Sequence, residues 1–265
     1  MVVTTPQSAD KTDEDFVQSL ARGLEVIQAF DRDNPLRTLS DVAKATGLTR
    51  ATVRRSLLTL EKLGYVRSEG SLFTLAPKIL ELGHAYLSGL GLPDIARPHL
   101  RTLMEETGET TALSVRDGSW VVHVARVPAS GMVTVAINVG TRFPAYATAM
   151  GRVLLAGLPA DQLDAYLERV ELQPLTAQTV GSVDQLRTVL ARVAAEGYCV
   201  ADRELHEALR AVAVPVRDTN GAVIAAANIA TSTGLRTLED LRGMLPALRR
   251  CADDIEAEEK LLEPR

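Results

Sequence analysis

One stretch constrains the fold more than any other. It is the segment 39–66, which reads LSDVAKATGLTRATVRRSLLTLEKLGYV. Small and aliphatic residues recur at helical spacing in its first half, and Gly47 interrupts the pattern before a second helical run opens at Thr49. Two short helices joined by a tight turn that contains glycine predict a helix-turn-helix. The second helix carries three arginines within six residues: Arg50, Arg54 and Arg55.

Positive charge is concentrated around this stretch. Residues 37–67 contain seven basic and two acidic side chains, a net charge of +5, within a 265-residue chain whose formal net charge is −5. A basic island in an acidic chain indicates an anionic partner, and the phosphate backbone of a nucleic acid is the most common one. Charge alone would also fit a solvated helix face that has no partner.

The flanking segments complete a small domain. Four apolar residues at helical spacing predict an amphipathic helix over 16–30: Val17, Leu20, Leu24 and Ile27. Ser40 is expected to cap the next helix, with Asp41 favourably placed in its first turn. The segment 65–75 predicts two short strands around a Glu69-Gly70-Ser71 turn. Three helices followed by a β-hairpin predict a winged helix-turn-helix.

The third helix of this domain has two different faces. Val53, Leu57 and Leu60 form one buried stripe, and the small, hydroxyl-bearing and guanidinium side chains lie away from it or flank it. Such side chains can enter the major groove of DNA, where they read base edges or bind phosphates. We therefore predict a DNA-binding surface with the following residues: Ser40, Thr49, Arg50, Ala51, Thr52, Arg54, Arg55 and Arg67.

The second half of the chain alternates helices and strands. A linker helix over 78–88 and a helix over 94–107 that ends at Gly108 precede a hairpin that turns at Asp117-Gly118. A strand at 132–140, helices over 148–156, 161–170 and 183–195, and a second hairpin that turns at Asn220-Gly221 follow. The last hairpin has small aliphatic residues on both faces, so its sheet is covered on both sides or closes over a cavity.

Together these elements predict an α+β chain with two domains. We expect a disordered lead-in (1–15), a winged helix-turn-helix domain (16–77), a linker helix (78–92) and a GAF-like α/β effector-binding domain (93–265). The apolar runs are too short to cross a membrane. Only two cysteines are present, Cys199 and Cys251, and they lack metal-ligand spacing, which suits a reducing cytosol. We therefore expect a cytoplasmic protein.

Catalytic, metal and cofactor signatures are missing from the sequence. The four histidines form no HExxH pair and have no partner cysteines, and there is no GxSxG elbow, P-loop or dinucleotide fingerprint. Ser114 with His123 or His206 is conceivable as a nucleophile and base, but nothing in the sequence links them. We predict no enzyme activity, no metal and no cofactor, with an esterase-like hydrolase as the distant alternative.

Several long motifs resemble the IclR family of bacterial transcription regulators, over roughly residues 16–262. In the first half they are VQSLARGLEVIQAF, TLSDVAKATGLTRATVRRSLLTLEKLGYV and FTLAPKILELGHAYL. In the second half they are VGTRFPAYATAMGRVLLAGLP, EGYCVADRELHEALRAVAVPVRD and GAVIAAANIATS. The resemblance is to the PcaR, PcaU and PobR-like subgroup, which controls aromatic-acid catabolism through the β-ketoadipate route.

The resemblance implies an effector pocket between the sheet and the loop that precedes the GRVLLA helix. Carried over position by position, with two further polar candidates, its residues are Tyr146, Ala147, Thr148, Met150, Asp202, His206, Arg210, Ala211, Asn228 and Ala230. Family members that sense small oxoacids often have Cys and two Ser where this chain has Ala211, Asn228 and Ala230. The usual Gly before the LR dipeptide is Ala208 here.

These departures favour an aromatic carboxylate of the protocatechuate or 4-hydroxybenzoate class, and an aliphatic organic acid is the alternative. Arg210 is the expected carboxylate partner, since its planar fork matches a carboxylate, and Arg142 is the next candidate. A surface salt bridge of Arg210 with Glu204 or Glu207 remains open, as does a purely structural Asn228.

The partners expected for such a chain are double-stranded operator DNA, the carboxylate effector and a second copy of itself. One small winged domain makes too few base contacts for genomic specificity, so a homodimer or tetramer is expected, with the helix 16–30 and the linker 78–88 as contact surfaces.

Overall fold

A computed structural model of the chain describes residues 15–31, 33–129 and 137–262. Within it the chain divides into two compact units, Met1–Ser88 and Gly89–Arg265. The expected linker, 78–92, spans this division. Residues 1–14 of the expected lead-in and most of the expected strand 132–140 lie outside the described residues.

The first unit is a winged helix-turn-helix. Its elements are α1 (Gln18–Gln28), β1 (Arg37–Thr38), α2 (Leu39–Thr46), α3 (Arg50–Lys62), β2 (Val66–Glu69) and β3 (Leu72–Leu75). The three strands form an antiparallel sheet in the order β1-β3-β2, and Gly70 turns the β2-β3 hairpin with a φ of 64°. The short strand β1 was not predicted, since two residues leave no alternation to recognise.

The core of this unit comes from its three helices and β2. The stripe predicted on α3 is confirmed, because Val53 and Leu57 are fully buried and Leu60 is nearly so. They pack in one cluster with Val26, Phe30, Val42 and Val66. Burial of each such side chain stabilises the fold by roughly 1.5–3 kcal/mol.

The start of α2 differs from the prediction. Thr38, not Ser40, caps the helix: its Oγ1 accepts a hydrogen bond from the Asp41 N–H at 3.2 Å, and the Asp41 carboxylate accepts one from the Thr38 N–H at 2.9 Å. This reciprocal capping box satisfies two backbone donors and outcompetes a single serine cap two residues later. Ser40 lies inside the first turn.

The apolar face of α1 also differs from a simple core face. The helix covers 18–28 within the predicted range 16–30, but Val17, Leu20 and Leu24 are 59, 63 and 47% exposed. Val26 and Phe30 face the core instead. The periodicity correctly identified a helix with an apolar side, and that side lies uncovered in a single copy of the unit.

After a 3₁₀ turn at Pro77–Ile79, the helix α4 (Leu80–Leu90) leads to the second unit. The helices of that unit are α5 (Leu92–Thr107), α6 (Ala149–Ala156), α7 (Ala160–Leu167), α8 (Val183–Glu196), α9 (Leu238–Gly243) and α10 (Leu245–Leu262). The strands are β4 (Thr110–Asp117), β5 (Trp120–Val127), β6 (Arg142–Pro144), β7 (Cys199–Asp202), β8 (Leu209–Arg217) and β9 (Val223–Ser232). None of the helices in the described part of the chain is long and apolar enough to span a membrane.

The six strands form one antiparallel sheet in the order β6-β5-β4-β9-β8-β7. The helices α5 and α10 pack on one face, against β4, β5 and β8, and α6 packs on the other, against β7, β8 and β9. The sheet is therefore covered on both sides, as its small residues predicted. Gly108, with φ 72°, ends α5 as expected, while α5 begins two residues early because Pro93 fits the first turn of a helix.

The helix α6 approaches the preceding turn very closely. A Cβ placed on Gly151 would lie 2.2 Å from the carbonyl oxygen of Ala145, which leaves room for glycine alone. Thr148 caps this helix by accepting a hydrogen bond from the Gly151 N–H at 3.0 Å. The turn 145–148 and α6 are thereby held against the sheet, where they form one wall of a cavity.

Candidate DNA-binding surface and effector cavity

The predicted DNA-binding residues gather at the N-terminal end of α3. Thr49 caps the helix by accepting a hydrogen bond from the Thr52 N–H at 3.3 Å, as the sequence predicted. Arg50, Ala51, Arg54 and Arg55 are all exposed on the side away from the buried stripe. Because the helix begins immediately after its cap, these side chains occupy its first two turns.

The arginines of α3 are held in place without being neutralised. The Arg50 guanidinium donates a hydrogen bond to the Ser40 hydroxyl, which links the start of α2 to the start of α3. Among the residues that the structure describes, Arg50, Arg54 and Arg55 form no ion pair with a carboxylate. Three exposed guanidinium groups that lack counter-charges suit phosphate oxygens and guanine edges.

Arg67 lies on the wing. It is an exposed residue of β2, paired with Thr74 of β3, one strand position after the buried Val66. Its guanidinium is therefore a further exposed positive charge, on the hairpin that follows α3. The eight predicted residues thus lie on α2, α3, the turn between them and the wing of a single unit.

The second unit contains a cavity with two adjoining lobes between its sheet and α6. The free space in the two lobes is small, about 30 and 40 Å³. Both lobes share five lining residues: His123, Ile137, Leu209, Asn228 and Ala230. The rest of the wall is mostly apolar, with six alanines, and its polar members are Thr110, Arg126, Thr148, Glu204 and His206.

Seven of the ten predicted pocket residues line this cavity. They are Ala147, Thr148, Met150, His206, Ala211, Asn228 and Ala230. They come from the turn before α6, from α6, from the loop 203–208 and from the two strands β8 and β9. The Ala208 N–H donates to Nδ1 of His206 at 3.2 Å, which leaves Nε2 of that ring as its hydrogen-bond donor.

Tyr146 does not line the cavity. Its hydroxyl donates to the Gln173 carbonyl and accepts from the Gln173 N–H, both at 3.0 Å, and its ring packs in the cluster that includes Tyr166 and Leu167. Burial raises the pKa of Tyr146. It anchors the turn below α6 and is not placed to meet a ring hydroxyl of a ligand.

Asp202 and Arg210 also lie outside the cavity, which corrects the expected carboxylate partner. The two residues are paired across β7 and β8, and Nε of Arg210 donates to the Asp202 carboxylate at 2.5 Å. Side chains alternate along a strand, so Arg210 points away from the face on which Leu209 and Ala211 line the cavity. The open salt-bridge alternative for Arg210 is correct in kind, although the partner is Asp202.

Arg142, the second candidate, is no closer to the cavity. Its guanidinium pairs with the Asp117 carboxylate at 2.7 Å and lies 5.5 Å from the ring of Trp120, half exposed to solvent.

His123 lines both lobes although it was not among the predicted effector residues; the sequence suggested it only with Ser114, as a conceivable nucleophile and base. Ser114 and His123 are both buried, and the Ser114 hydroxyl lies 2.7 Å from Nδ1 of His123 and 3.0 Å from the sulfur of Met150. Burial, and then the nearby Arg126, lower the pKa of His123 to about 4, so this ring is neutral at physiological pH. The structure thus joins Ser114 to His123, and no carboxylate among the described residues hydrogen-bonds the ring.

Arg126 is the second unpredicted residue. It lines the lobe that also contains Ala112 and His206, and it is half-buried, opposite Ala112 of β4. Residues three apart on a strand normally face opposite sides, but the pairing of β5 with β4 shifts by one residue between Leu113 and Ser114. This β-bulge brings His123 and Arg126 to the same face. No period-two pattern in the sequence reveals such an insertion.

A buried ion pair supports the far side of the cavity. Arg152 is 3% exposed; its Nε donates to the Tyr146 carbonyl at 2.8 Å and its Nη1 to Glu204 at 2.6 Å. Thr179 in turn donates to the Glu204 carbonyl at 2.6 Å. This network ties α6 to the loop that carries His206. No cluster of metal-ligating side chains occurs within 15–31, 33–129 and 137–262.

A winged helix-turn-helix joined in one chain to an α/β domain that encloses a small cavity is the architecture of a ligand-responsive DNA-binding regulator. Comparison with known proteins makes the class specific. Residues 19–70 match the IclR helix-turn-helix domain, and residues 84–257 match the bacterial transcriptional regulator IclR C-terminal domain. The chain belongs to the IclR family of transcription regulators, which are not enzymes.

Three similar proteins illustrate the relationship. The Pca regulon regulatory protein of Pseudomonas putida is 40% identical over 92% of this chain and 84% of its own length. The crystal structure of a transcriptional regulator from Rhodococcus sp. RHA1 is 52% identical, with a TM-score of 0.83 over 94% of this chain and 100% of that one. An IclR homologue from Microbacterium hydrocarbonoxydans, crystallised with 4-hydroxybenzoate, is 26% identical, with a TM-score of 0.80 over 92% of this chain and 100% of that one.

Proposed function

We propose that this IclR-family regulator is controlled by a small aromatic carboxylate of the 4-hydroxybenzoate or protocatechuate class, which binds in the cavity of the second unit. The observation that carries the proposal is the wall of that cavity. Alanine side chains at 112, 147, 211 and 230 make much of the wall small and apolar, as suits contact with a flat ring.

Two comparisons support an aromatic ligand. The homologue from Microbacterium hydrocarbonoxydans was crystallised with 4-hydroxybenzoate, and the Pseudomonas putida relative is named for the Pca regulon. The positions at which oxoacid sensors of the family often have Cys and Ser are Ala211, Asn228 and Ala230 here, which makes the wall less hydroxylic.

We propose further that α3 and the wing bind operator DNA through the eight residues named above. The support is the cluster of exposed guanidinium groups on a helix whose opposite side is buried. Phosphate contacts supply most of the affinity of such a surface, and base contacts in the major groove supply its specificity.

A homodimer or a tetramer is the proposed assembly. On α1 and the residues before it, Phe16, Val17, Leu20 and Leu24 form an exposed apolar face, and α4 exposes Leu80, Leu82 and Tyr86. Two copies that bury such faces symmetrically would present two recognition helices to two half-sites. Light scattering at working concentration should give at least twice the chain mass, and a monomer both alone and on DNA would contradict the proposal.

Thermal unfolding in the presence of candidate acids tests the effector. A ligand present at 100 times its Kd stabilises the folded protein by about 2.7 kcal/mol, enough for a clear increase in Tm. We expect 4-hydroxybenzoate or protocatechuate to raise the Tm and aliphatic acids such as pyruvate to leave it unchanged. Stabilisation by aliphatic acids alone would favour the alternative effector class.

A further inference from the structure

The cavity has one cation for an anionic ligand to meet. Of the described residues that line its two lobes, Arg126 is the only arginine or lysine. It has no ion pair or hydrogen bond with any described residue, while the cations nearby are committed elsewhere: Arg152 to Glu204 and Arg210 to Asp202. His123 and Arg126 face the same lobe, and the neutral His123 contributes no charge.

A half-buried arginine without a counter-charge is unusual in a folded protein. Partial burial of a charge is unfavourable unless an opposite charge or several acceptors compensate it. Burial lowers the pKa of the Arg126 guanidinium, and no carboxylate raises it again. A ligand carboxylate is the chemistry that would complete this site, through a bidentate pair.

Asn228 supplies the second polar end of the cavity. Its side chain is 2% exposed and lines both lobes, and its Oδ1 has no hydrogen-bond partner among the described residues. A buried acceptor without a donor is destabilising. The hydroxyl group of a ligand would satisfy it, since a hydroxyl can donate a hydrogen bond to an amide oxygen.

Strand pairing places Arg126 and Asn228 in one row across the sheet. Arg126 is opposite Ala112, and Ala112 is opposite Asn228, so the three residues occupy adjacent positions on β5, β4 and β9. Two strand spacings separate the backbones of Arg126 and Asn228 by about 9–10 Å. The residue between them is Ala112, whose methyl group adds little bulk above the sheet and offers an apolar contact for an aromatic ring.

We infer that Arg126 binds the carboxylate of the effector and that Asn228 accepts a hydrogen bond from a hydroxyl group on the opposite side of its ring. This inference rests on the proposed aromatic effector and adds its orientation. The carboxylate lies towards β5 and the ring hydroxyl towards β9, with the ring over β4. The protein thereby selects para-hydroxylated aromatic acids by two separate polar contacts.

Calorimetry on the full-length chain tests the carboxylate contact. The probes are 4-hydroxybenzoate and its neutral analogue 4-hydroxybenzamide, and the variants are Arg126→Met, Arg126→Lys and, as a matched control, the exposed Arg142→Met. In the parent we expect the acid to bind about tenfold to a hundredfold more tightly than the amide, as a charge-assisted pair implies. In Arg126→Met this preference should fall to about threefold or less, with amide affinity unchanged, while Arg126→Lys retains part of it and Arg142→Met all of it.

The outcomes separate the two proposals. If the parent binds no aromatic acid, the proposed effector class is wrong and the orientation is wrong with it. If the parent binds 4-hydroxybenzoate and Arg126→Met binds it equally well, the effector class stands and the role of Arg126 is overturned. An equal loss of acid and amide binding in Arg126→Met would show a structural role and would also overturn the inference.

The hydroxyl contact has its own measurement. The parent should prefer 4-hydroxybenzoate to 4-methylbenzoate, and in Asn228→Leu that preference should vanish or reverse while 4-methylbenzoate still binds. Unchanged preference in Asn228→Leu would show that the ring hydroxyl meets another group. Binding of 4-methylbenzoate also shows that the variant is folded, so loss of the preference is not a loss of structure.

Discussion

The proposed DNA-binding surface and the proposed effector cavity are built in opposite ways. On α3, the predicted arginines lie within six consecutive residues, and the geometry of one helix places them together. The cavity collects residues from β4, β5, β8, β9 and α6, which are up to about 120 positions apart in the chain. The helical period of the sequence therefore predicts which residues of α3 lie together, while the set of cavity residues depends on the register of the strands.

Their charges differ in the same way. The arginines of α3 are exposed to water, where salt screens charge interactions, and several of them would contribute to the binding of DNA. Arg126 is a single, half-buried cation in a partly enclosed cavity, where a charge pair is screened less than at the surface. Binding of DNA should therefore depend steeply on salt, and binding of the effector only weakly.

The largest effect is expected from removing the charges on α3. In the triple variant Arg50→Ala, Arg54→Ala, Arg55→Ala, operator affinity should fall about a thousandfold, because three charge-assisted contacts are lost. The slope of log affinity against log salt should flatten by about 0.9 for each phosphate contact. Fluorescence anisotropy with labelled operator DNA measures both.

The same triple variant tests whether the role of the α3 arginines is limited to DNA. Its thermal stability and effector affinity should match those of the parent, since all three side chains are exposed. Parent-like operator affinity in this variant would show that α3 is not the recognition helix.

The next largest effect concerns the wall of the cavity. In Gly151→Ala the new methyl group would overlap the Ala145 carbonyl oxygen, so α6 must move away from the turn. We expect a loss of at least about 3 kcal/mol in the free energy of unfolding, together with weaker effector binding. Urea unfolding followed by circular dichroism measures the first quantity and calorimetry the second.

A matched substitution isolates the role of packing. Gly243 lies at the end of α9 with nothing within 4 Å of a built Cβ, so Gly243→Ala should be neutral or stabilising by up to about 1 kcal/mol. Equal free energies of unfolding for the two variants would mean that α6 and the turn at Ala145 move apart at little cost. The cavity wall would then accept an added methyl group as readily as the surface does.

The last effect is a pH dependence of the free energy of unfolding, which arises from His123 in the cavity wall. His123 has a pKa of about 4 in the folded chain, below the value near 6.5 of an unfolded one. Between these values the unfolded chain binds a proton that the folded chain does not, so stability is lost as pH falls from about 6.5 to 4, by on the order of 3 kcal/mol.

The variant His123→Gln should lack this part of the dependence. Urea unfolding at several pH values between 4.5 and 6.5 compares its slope with that of the parent. Parallel curves would show that His123 is protonated in the folded chain, and that the cavity is wetter than its burial indicates.

Predictions that rest on neighbouring residues in one helix were mostly accurate. Thr49 and the stripe at Val53, Leu57 and Leu60 follow from helix caps and period, and the structure confirms them. The cap at Ser40 was wrong, because two threonine and serine candidates lay within three residues and only Thr38 forms a capping box. Errors of this kind are local and small.

The errors in the cavity have a different origin. Motif positions correctly placed the backbone of Arg210 on a wall strand, but neighbouring residues on a strand face opposite sides, and Arg210 faces away. The hydroxyl of Tyr146 already forms two hydrogen bonds with the backbone of Gln173, outside the cavity. Arg126 reaches the cavity through a bulge, which leaves no periodic trace in the sequence.

The sequence by itself determined the two-part organisation, the helix-turn-helix with its basic face, and the family, because these depend on short periods, caps and contiguous motifs. The tertiary structure alone decided which polar side chains enter the cavity, because a register shift of one residue moves every side chain to the other face of the sheet. Strand alternation turns Arg210 away from the cavity, where it pairs with Asp202, and the β-bulge turns Arg126 towards the cavity without a counter-charge.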